Sequence, residues 1–238
     1  MTASRHVTPC SKSCADTLWA MGRAEAWSKH WGRLGKPARE AVADAAGITA
    51  GTRLLDAGCG TGEFLALALS RGAKASGIDV SQDMLAVARR HAPAADIREG
   101  DITELPYEDD AFDVVTAFNV VQFTDDPVAT IAGLARVAPA VAVCGWAEGS
   151  QLLDLFAALR NDSAAPRRPL DEQVLAAGLT ITQAGDVATP YESEDVVTAL
   201  REGSGFDGDI EEQAASYRGA DGVYRFENRF RYVLATRS

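Results

Sequence analysis

Short apolar runs alternate with longer helical patterns between Thr52 and Trp146. The apolar runs predict five β-strands, at Arg53–Asp56, Lys74–Val80, Ala94–Glu99, Phe112–Asn119 and Ala140–Trp146. Between them, apolar residues recur at helical spacing and predict helices at Glu63–Arg71, Ser81–His91 and Pro127–Val137. Strands and helices that alternate in this way indicate a parallel sheet with helices on both faces. The fold class is therefore α/β.

The chain follows other patterns outside this region. Residues 1–17 are polar and irregular and predict a flexible arm, whereas Leu18–Ala46 predicts helix. After Gly149 the pattern predicts helices at Gln151–Arg160, Asp171–Ala177, Ser193–Arg201 and Asp209–Tyr217. It also predicts extended segments at Thr180–Pro190 and Tyr224–Thr236. A hairpin of these last two strands would place an antiparallel edge on the sheet.

Composition and charge narrow the class of protein. The 238 residues, 47% hydrophobic and 24% charged, suit one globular domain. A net charge of −11 disfavours nucleic acid as a partner, because an acidic surface repels phosphates. No apolar run approaches the roughly 18 residues of a membrane span, and the first residues lack the apolar core of a secretory signal. Four cysteines do not make a disulfide framework, so we expect a cytoplasmic protein.

A glycine-rich turn follows the first predicted strand. Gly58, Gly60 and Gly62 form the spacing G-x-G-x-G, and Glu63 stands where the third glycine of a dinucleotide-binding fingerprint would fall. A carboxylate at a helix start suits the helix dipole but opposes a bound pyrophosphate. The turn therefore favours a ligand without phosphate at this point; the alternative is a tight strand–helix turn that binds nothing.

The next two predicted strands also end in polar residues. Asp79 lies at the carboxyl end of the second strand, where a carboxylate can accept hydrogen bonds from both ribose hydroxyls of a nucleoside; otherwise it is a helix-capping or solvated acid. Met84, one turn into the following helix, can face adenine or belong to the core. Asp101 and Ile102 end the third strand and can hold the adenine amino group and cover its ring, or form an Asx turn.

Four motifs, in this order, carry a family resemblance: LDAGCGTG, GIDVS, EGDI and LPYEDDAFDVVTAFNVVQF. They resemble the motifs of class I S-adenosylmethionine-dependent methyltransferases, above all the small-molecule branch that includes ubiquinone and menaquinone methyltransferases. The resemblance covers about residues 50–147. It implies a doubly wound, Rossmann-like sheet of seven mostly parallel strands with an antiparallel last strand.

The resemblance also implies which residues hold the cofactor, S-adenosyl-L-methionine. The methionine part would lie against the glycine turn, at Gly58, Cys59 and Gly60. The nucleoside would be held by the next two strand ends, at Asp79, Val80, Met84, Asp101 and Ile102. The carbonyl of Asn119 would contact the amino end, and the methyl group would be bordered by Val120–Phe123, which includes Gln122 and Phe123.

The rest of the chain is expected to complete a single domain, 18–238, around the cofactor-binding core, 50–147. The resemblance implies an N-terminal helical lid at 18–46, in which Trp27 and Trp31 face the cofactor or simply pack on the sheet. A C-terminal helical insert, 148–225, is expected on the acceptor side. Asp125 and Asp126 precede Pro127 as in an ordinary helix start, so no metal is expected.

The cofactor's sulfonium makes the methyl group electrophilic, so the protein mainly has to align a nucleophile with it. An oxygen nucleophile also needs a base, whereas an amine that has lost its proton to solvent does not. Of the three histidines, His6 lies in the arm, and His91 ends a helix that is expected to lead away from the site. His30 is therefore the candidate catalytic base.

The sequence thus predicts methyl transfer to the oxygen or nitrogen of a small molecule, with S-adenosyl-L-homocysteine as the product. High alanine and arginine-over-lysine usage points to bacterial secondary metabolism, and we expect a monomer or a homodimer. Two alternatives stay open: a cyclisation or decarboxylation on the same fold, and a non-catalytic methyltransferase-like binding partner. A dehydrogenase is disfavoured by Glu63.

Overall fold

The computed structural model describes residues 23–160 and 168–237, and it confirms the alternation of strands and helices. The predicted arm, 1–17, lies outside the described residues. Among the described residues, two helices come first, α1 (Ala24–Trp31) and α2 (Lys36–Ala45). The five strands that follow are β1 (Arg53–Ala57), β2 (Lys74–Asp79), β3 (Asp96–Glu99), β4 (Val114–Phe118) and β5 (Ala140–Trp146). The helices between them are α3 (Glu63–Ser70), α4 (Gln82–His91) and α5 (Pro127–Val137).

The second half of the chain contains shorter elements. Its helices are α6 (Gln151–Arg160), α7 (Leu170–Ala176), α8 (Val196–Thr198), a π-helical turn at Ala199–Gly203, α9 (Ile210–Ala214) and a 3₁₀ turn at Ala215–Tyr217. Its strands are β6 (Thr180–Ala188), β7 (Tyr191–Ser193), β8 (Tyr224–Phe226) and β9 (Arg229–Thr236). Among the described helices, none is both long and apolar enough to cross a bilayer.

Seven strands form one sheet in the order β3-β2-β1-β4-β5-β9-β6. The neighbours among β1–β5 pair in parallel, and β9 runs antiparallel to both β5 and β6. This confirms the doubly wound, mostly parallel sheet with an antiparallel last strand. The strand order reverses at β1, which β2 and β4 flank, so a crevice is expected above the carboxyl ends of these strands.

The predicted antiparallel pairing of the last two strands at an edge of the sheet is confirmed, with β6 outermost. β9 lies inside the sheet, and the edge strand is β6, which runs parallel to β5 because both are antiparallel to β9. The predicted run Tyr224–Thr236 divides, since β8 pairs with β7 in a separate ribbon. The division falls at residues 227–228, where the side chain of Gln151 accepts from Glu227 N (2.7 Å) and that of Asn228 accepts from Leu152 N (2.9 Å).

Within its described residues, the helical segment predicted at Leu18–Ala46 contains α1 and α2, with residues 32–35 between them. A Cβ on Gly32 would lie 2.5 Å from Ser28 O and 2.8 Å from Glu63 Oε1. Only glycine fits at that contact, and Pro37 lies in the first turn of α2. The predicted helix Ser193–Arg201 instead begins as the end of β7 and continues as the short α8 and the π-helical turn. Asp195 caps α8 by accepting from Thr198 N at 2.9 Å.

Each face of the sheet carries its own buried cluster. Leu54 and Leu55 are neighbours in β1, and both are fully buried, but they belong to opposite clusters because side chains alternate across a strand. The cluster of Leu54 includes residues of α2, α3 and α6, and that of Leu55 includes residues of α5 and α7. The segment 148–225, predicted as an acceptor-side insert, therefore also contains α7 and β6, which belong to the sheet and its helical layer.

Trp31 is buried in an aromatic group above the sheet. Its ring centroid lies 5.1 Å from that of Tyr191 and 5.9 Å from that of Phe156. A Cβ on Gly203 would lie 2.5 Å from the indole nitrogen. Gly203→Ala is therefore expected to lower the free energy of unfolding by about 1–3 kcal/mol, the usual effect of overpacking.

Urea denaturation checks this prediction, and Gly133→Ala is its control. Gly133 lies within α5, and a Cβ there would meet nothing within 4 Å. Alanine at an open helical position raises stability by about 0.5–1 kcal/mol. Equal stability of the Gly203→Ala variant and the wild type would contradict the packing of Trp31 on this turn.

Candidate functional site

The glycine turn joins β1 to α3 at the carboxyl edge of the sheet. Gly58, Gly60 and Gly62 have φ angles of +74°, +52° and +85°, which glycine adopts most readily. A Cβ on Gly58 would lie 2.4 Å from Val120 Cγ2, and one on Gly62 would lie 2.9 Å from Ala88 Cα. A Cβ on Gly60 would meet nothing within 4 Å. Two glycines thus allow close packing, and the third has open space beside it.

Asp79 lies beside this turn, as predicted. Its Oδ2 accepts from Gly60 N and its Oδ1 accepts from Ser81 N, both at 2.9 Å. Burial raises the pKa of Asp79, and these backbone hydrogen bonds oppose that rise. Because a carboxylate offers about four lone-pair positions, Asp79 can still accept from a further donor.

Ser81 caps α4, as predicted, since its hydroxyl accepts from Met84 N at 3.4 Å. Met84 is buried beneath α1 in a small cluster with Ala24 and Val87, which agrees with the core alternative for this residue. Val80, in contrast, is 58% exposed. An exposed valine next to Asp79 leaves an apolar surface at the end of β2.

The residues that end the third strand divide between surface and core. Asp101 is exposed, and its Oδ1 accepts from Thr103 N at 2.8 Å, so the Asx turn that the sequence left open is formed. Ile102 is buried in the cluster that also contains Leu55 and Ile78. Asp101 keeps its second carboxylate oxygen for another donor.

The end of β4 approaches the glycine turn from the other side. Asn119 has a φ angle of +50°, and its N–H donates to Cys144 O at 2.8 Å. Its side-chain Oδ1 is buried and has no hydrogen-bond partner among the described residues. Val120 packs on Gly58, and the 3₁₀ turn Val121–Phe123 follows, in which Gln122 is half-buried and Phe123 is exposed.

Asp56 is a buried acid that the sequence analysis did not assign. Thr116 Oγ1 donates to its Oδ1 at 2.8 Å. Burial raises the pKa of Asp56 to about 7, and the hydrogen bond from Thr116 opposes the rise. An acid at the end of an apolar strand, immediately before the glycine turn, is the sequence signal that points to it.

Glu63, the first residue of α3, connects the glycine turn to α1. Its Oε1 accepts from Thr61 Oγ1 at 2.6 Å and from Ser28 Oγ at 3.2 Å. Arg39 of α2 lies nearby; burial lowers its pKa, and the negative charges of Glu63 and Asp56 act in the opposite direction. Sequence reasoning placed Glu63 at the helix start but gave no indication of its contact with Ser28.

His30 and His91 are the two histidines in the described residues, and both make a polar contact. His30 lies on α1 with its Nε2 3.1 Å from Glu202 Oε2. His91 does not lead away from the turn: its Nδ1 lies 2.8 Å from Thr61 O and, facing a carbonyl, carries the proton. The prediction that His91 lies away from the site is therefore wrong, because the last turn of α4 packs against Gly62.

Asp126 caps α5 by accepting from Ala129 N at 3.0 Å, which confirms the predicted helix start. Within the described ranges, no group of three or more His, Cys, Asp or Glu side chains is arranged to hold a metal ion. Cys59 and Cys144 are both buried, and burial raises the pKa of each thiol.

Residues 55–140 match the family model described as a methyltransferase domain. This range contains the glycine turn, Asp79, Asp101 and Asn119. The chain therefore contains a methyltransferase domain. This match confirms the methyltransferase domain that the sequence motifs predicted.

Curated relatives of the methyltransferase domain match over part of their length. A malonyl-[acyl-carrier protein] O-methyltransferase of Serratia marcescens is 41% identical over 87 residues, which are 37% of this chain and 34% of the relative. A demethylmenaquinone methyltransferase of Renibacterium salmoninarum is 34% identical over 110 residues, which are 46% of this chain and 44% of the relative. The chain thus spans less than half the length of these relatives.

Solved structures share the methyltransferase fold over most of the chain. A putative methyltransferase from Bacillus halodurans superposes with a TM-score of 0.63 at 17% identity, covering 83% of this chain and 97% of that one. A [4+2]-cyclase superposes with a TM-score of 0.60 at 23% identity, covering 87% and 83%. At these identities the likeness concerns the fold alone.

Proposed function

We propose that this protein binds S-adenosyl-L-methionine at the carboxyl edge of β1, β2 and β4 and transfers its methyl group to a small-molecule acceptor. The observation that carries the proposal is the convergence of Gly60, with open space beside it, and Asp79, whose carboxylate lies beside the same turn. Together they offer a backbone that a ligand can approach closely and a carboxylate that two hydroxyls can reach.

The cofactor fits the groups along this edge. Asp79 would accept hydrogen bonds from the ribose hydroxyls, and Val80 would cover the adenine ring on its exposed side. The free carboxylate oxygen of Asp101 would accept from the adenine amino group, with Ile102 beneath it. The unpaired Oδ1 of Asn119, together with its backbone carbonyl, would receive the amino end of the methionine part beside Gly58 and Cys59.

The charges near the turn also suit this cofactor. Asp79 and Glu63 lie beside the glycine turn, and negative charges there favour a ligand that carries a sulfonium and an ammonium group. The same acids oppose a pyrophosphate, which supports a methyltransferase over a dehydrogenase. When it is bound, the cofactor supplies an electrophilic methyl group.

The protein's own contribution is alignment and the exclusion of water. Val120–Phe123 would border the methyl group, and α1 with Trp27 would cover the site from above. Holding the two reactants in line can account for about 7–11 kcal/mol of the barrier. The acceptor atom is proposed to be oxygen or nitrogen, and the acceptor is proposed to approach from the side of α6 and the segment 189–228, which follows the carboxyl end of β6.

The test combines binding with product analysis. Titration calorimetry with S-adenosylhomocysteine is expected to show one site per chain. Incubation with S-adenosylmethionine and a panel of hydroxylated and amino compounds is expected to give one S-adenosylhomocysteine for each methylated product. The fold shared with a [4+2]-cyclase makes a cyclisation the second candidate; it would form product without consuming the methyl group. Absence of cofactor binding would contradict both.

His30→Ala is expected to change kcat by less than threefold, because His30 pairs with Glu202 and a lone histidine of this kind is ordinarily a packing residue. If His30 instead removes a proton from a hydroxyl acceptor, kcat is expected to fall by about 10²–10⁴-fold while cofactor affinity stays constant. Steady-state kinetics at saturating cofactor separate these results. His91→Ala serves as the comparison on the other side of the glycine turn.

A further inference from the structure

We infer that Glu63 is a positioning residue that couples the seating of α1 over the site to the conformation of the glycine turn. This inference rests on the proposed function, since it assigns a role within the same cofactor site. Its basis is that one carboxylate oxygen joins a residue of the turn to a residue of α1, which are separated by a large distance along the chain.

On the side of the turn, the bond to Glu63 fixes Thr61. Thr61 is 1% exposed, and its hydroxyl donates to Glu63 Oε1 at 2.6 Å. Its carbonyl accepts from His91 Nδ1 at 2.8 Å. Thr61 lies between Gly60 and Gly62, so these two contacts hold the part of the backbone that faces the open space.

On the side of α1, the same oxygen holds the helix end. Ser28 Oγ donates to Glu63 Oε1 at 3.2 Å, and a Cβ on Gly32 would lie 2.8 Å from it. Arg39 donates to the carbonyl of Gly32 and places a positive charge near Glu63. The end of α1 is thus seated directly on the carboxylate.

The hydrogen bond from Ser28 to Glu63 differs from the other described contacts of α1, which do not involve residues bonded to the glycine turn. His30 and Trp31 attach α1 to the π-helical turn at Glu202 and Gly203, outside the methyltransferase domain. Ala24 packs on Met84 in α4. Among the described contacts of α1, the hydrogen bond from Ser28 to Glu63 reaches a side chain that is itself bonded to Thr61 of the glycine turn. A ligand that requires an ordered turn therefore also favours the seated position of α1.

Glu63 is not part of either buried hydrophobic cluster on the faces of the sheet. It borders a surface cavity of about 370 Å³ together with Lys36, Arg39, Glu40, Leu67 and His91. Truncation of its side chain would open onto this cavity. A change in ligand binding can therefore be separated from a loss of folding.

The test compares Ser28→Ala, Glu63→Ala and Glu63→Gln with the wild type. Ser28→Ala is expected to weaken the binding of S-adenosylhomocysteine by about tenfold, a typical loss for one hydrogen bond to a charged group. Glu63→Ala is expected to have a larger effect, and Glu63→Gln, which keeps an acceptor oxygen, is expected to recover part of it. Ser28→Thr keeps the donor and is expected to bind as the wild type does.

Amide hydrogen exchange supplies a readout that simple packing would not move. In Ser28→Ala, exchange is expected to rise both in residues 24–31 and in the glycine turn, 58–62, although the substitution lies in α1 alone. Ser70→Ala is the control, because Ser70 lies on the same helix as Glu63 and its hydroxyl donates only to Leu67 O in the described structure.

The outcomes are distinguishable. If the wild type does not bind S-adenosylhomocysteine, the proposed function fails. If the wild type binds and Ser28→Ala binds within twofold of it, the coupling is overturned while the proposed function stands. A rise in exchange confined to residues 24–31 also overturns the coupling, because α1 would then loosen without the turn.

Discussion

Asp79→Ala is expected to weaken the binding of S-adenosylhomocysteine by on the order of 2–4 kcal/mol, since each hydrogen bond to a charged acceptor contributes about 1.5–3 kcal/mol. The ribose would lose its acceptor. Gly60 N and Ser81 N would also lose theirs, so the glycine turn and the start of α4 would be less well held. Titration calorimetry measures the loss, and circular dichroism shows whether the fold is kept.

Asp96→Ala is the matched control. Asp96 is the first residue of β3, so it lies at the amino end of the parallel strands, away from their carboxyl ends. Its exposed carboxylate pairs with Arg98. This variant is expected to bind the ligand as the wild type does. If Asp79→Ala binds the ligand with unchanged affinity, Asp79 does not hold the ribose, and the proposed site is contradicted at this residue.

Asp56→Asn is expected to stabilise the protein above pH 7 by on the order of 2–4 kcal/mol. Burial raises the pKa of Asp56 to about 7 in the folded state, from an ordinary value of 3.8. Between these values the folded protein keeps a proton that the unfolded chain has lost. Stability therefore falls as pH rises through this window and stays constant above it. Asparagine has no proton to lose, and its Oδ1 can still accept from Thr116.

Urea denaturation at pH 4, 5.5 and 8 checks this prediction, with Asp113→Asn as a control of opposite sign. Hydrogen bonds from Arg53 lower the pKa of Asp113, so its contribution to stability is present at neutral pH and is lost as pH falls. The exposed pair makes only a small contribution. A gain for Asp56→Asn that is equal at pH 4 and pH 8 would mean that Asp56 is not the titrating group.

The sequence alone determined those features that depend on residues close together along the chain. The helical and strand periods placed α5, β5 and α6 at their observed residues. Capping residues placed the starts of α4 and α5, because Ser81 and Asp126 bond to backbone groups within three residues of themselves. The glycine turn and Asp79 were found in the same way, since parallel strands bring their carboxyl ends to one edge of the sheet.

The tertiary structure alone decided the contacts between distant segments. β9 lies between β5 and β6 because the last strand pairs on both sides, and its own sequence pattern is the same for an edge or an inner position. His91 reaches Thr61, Trp31 rests on Gly203, and Ser28 bonds to Glu63 for the same reason. A residue's periodicity reports which face of its own element is apolar, but the element that covers that face is selected only when the whole chain packs.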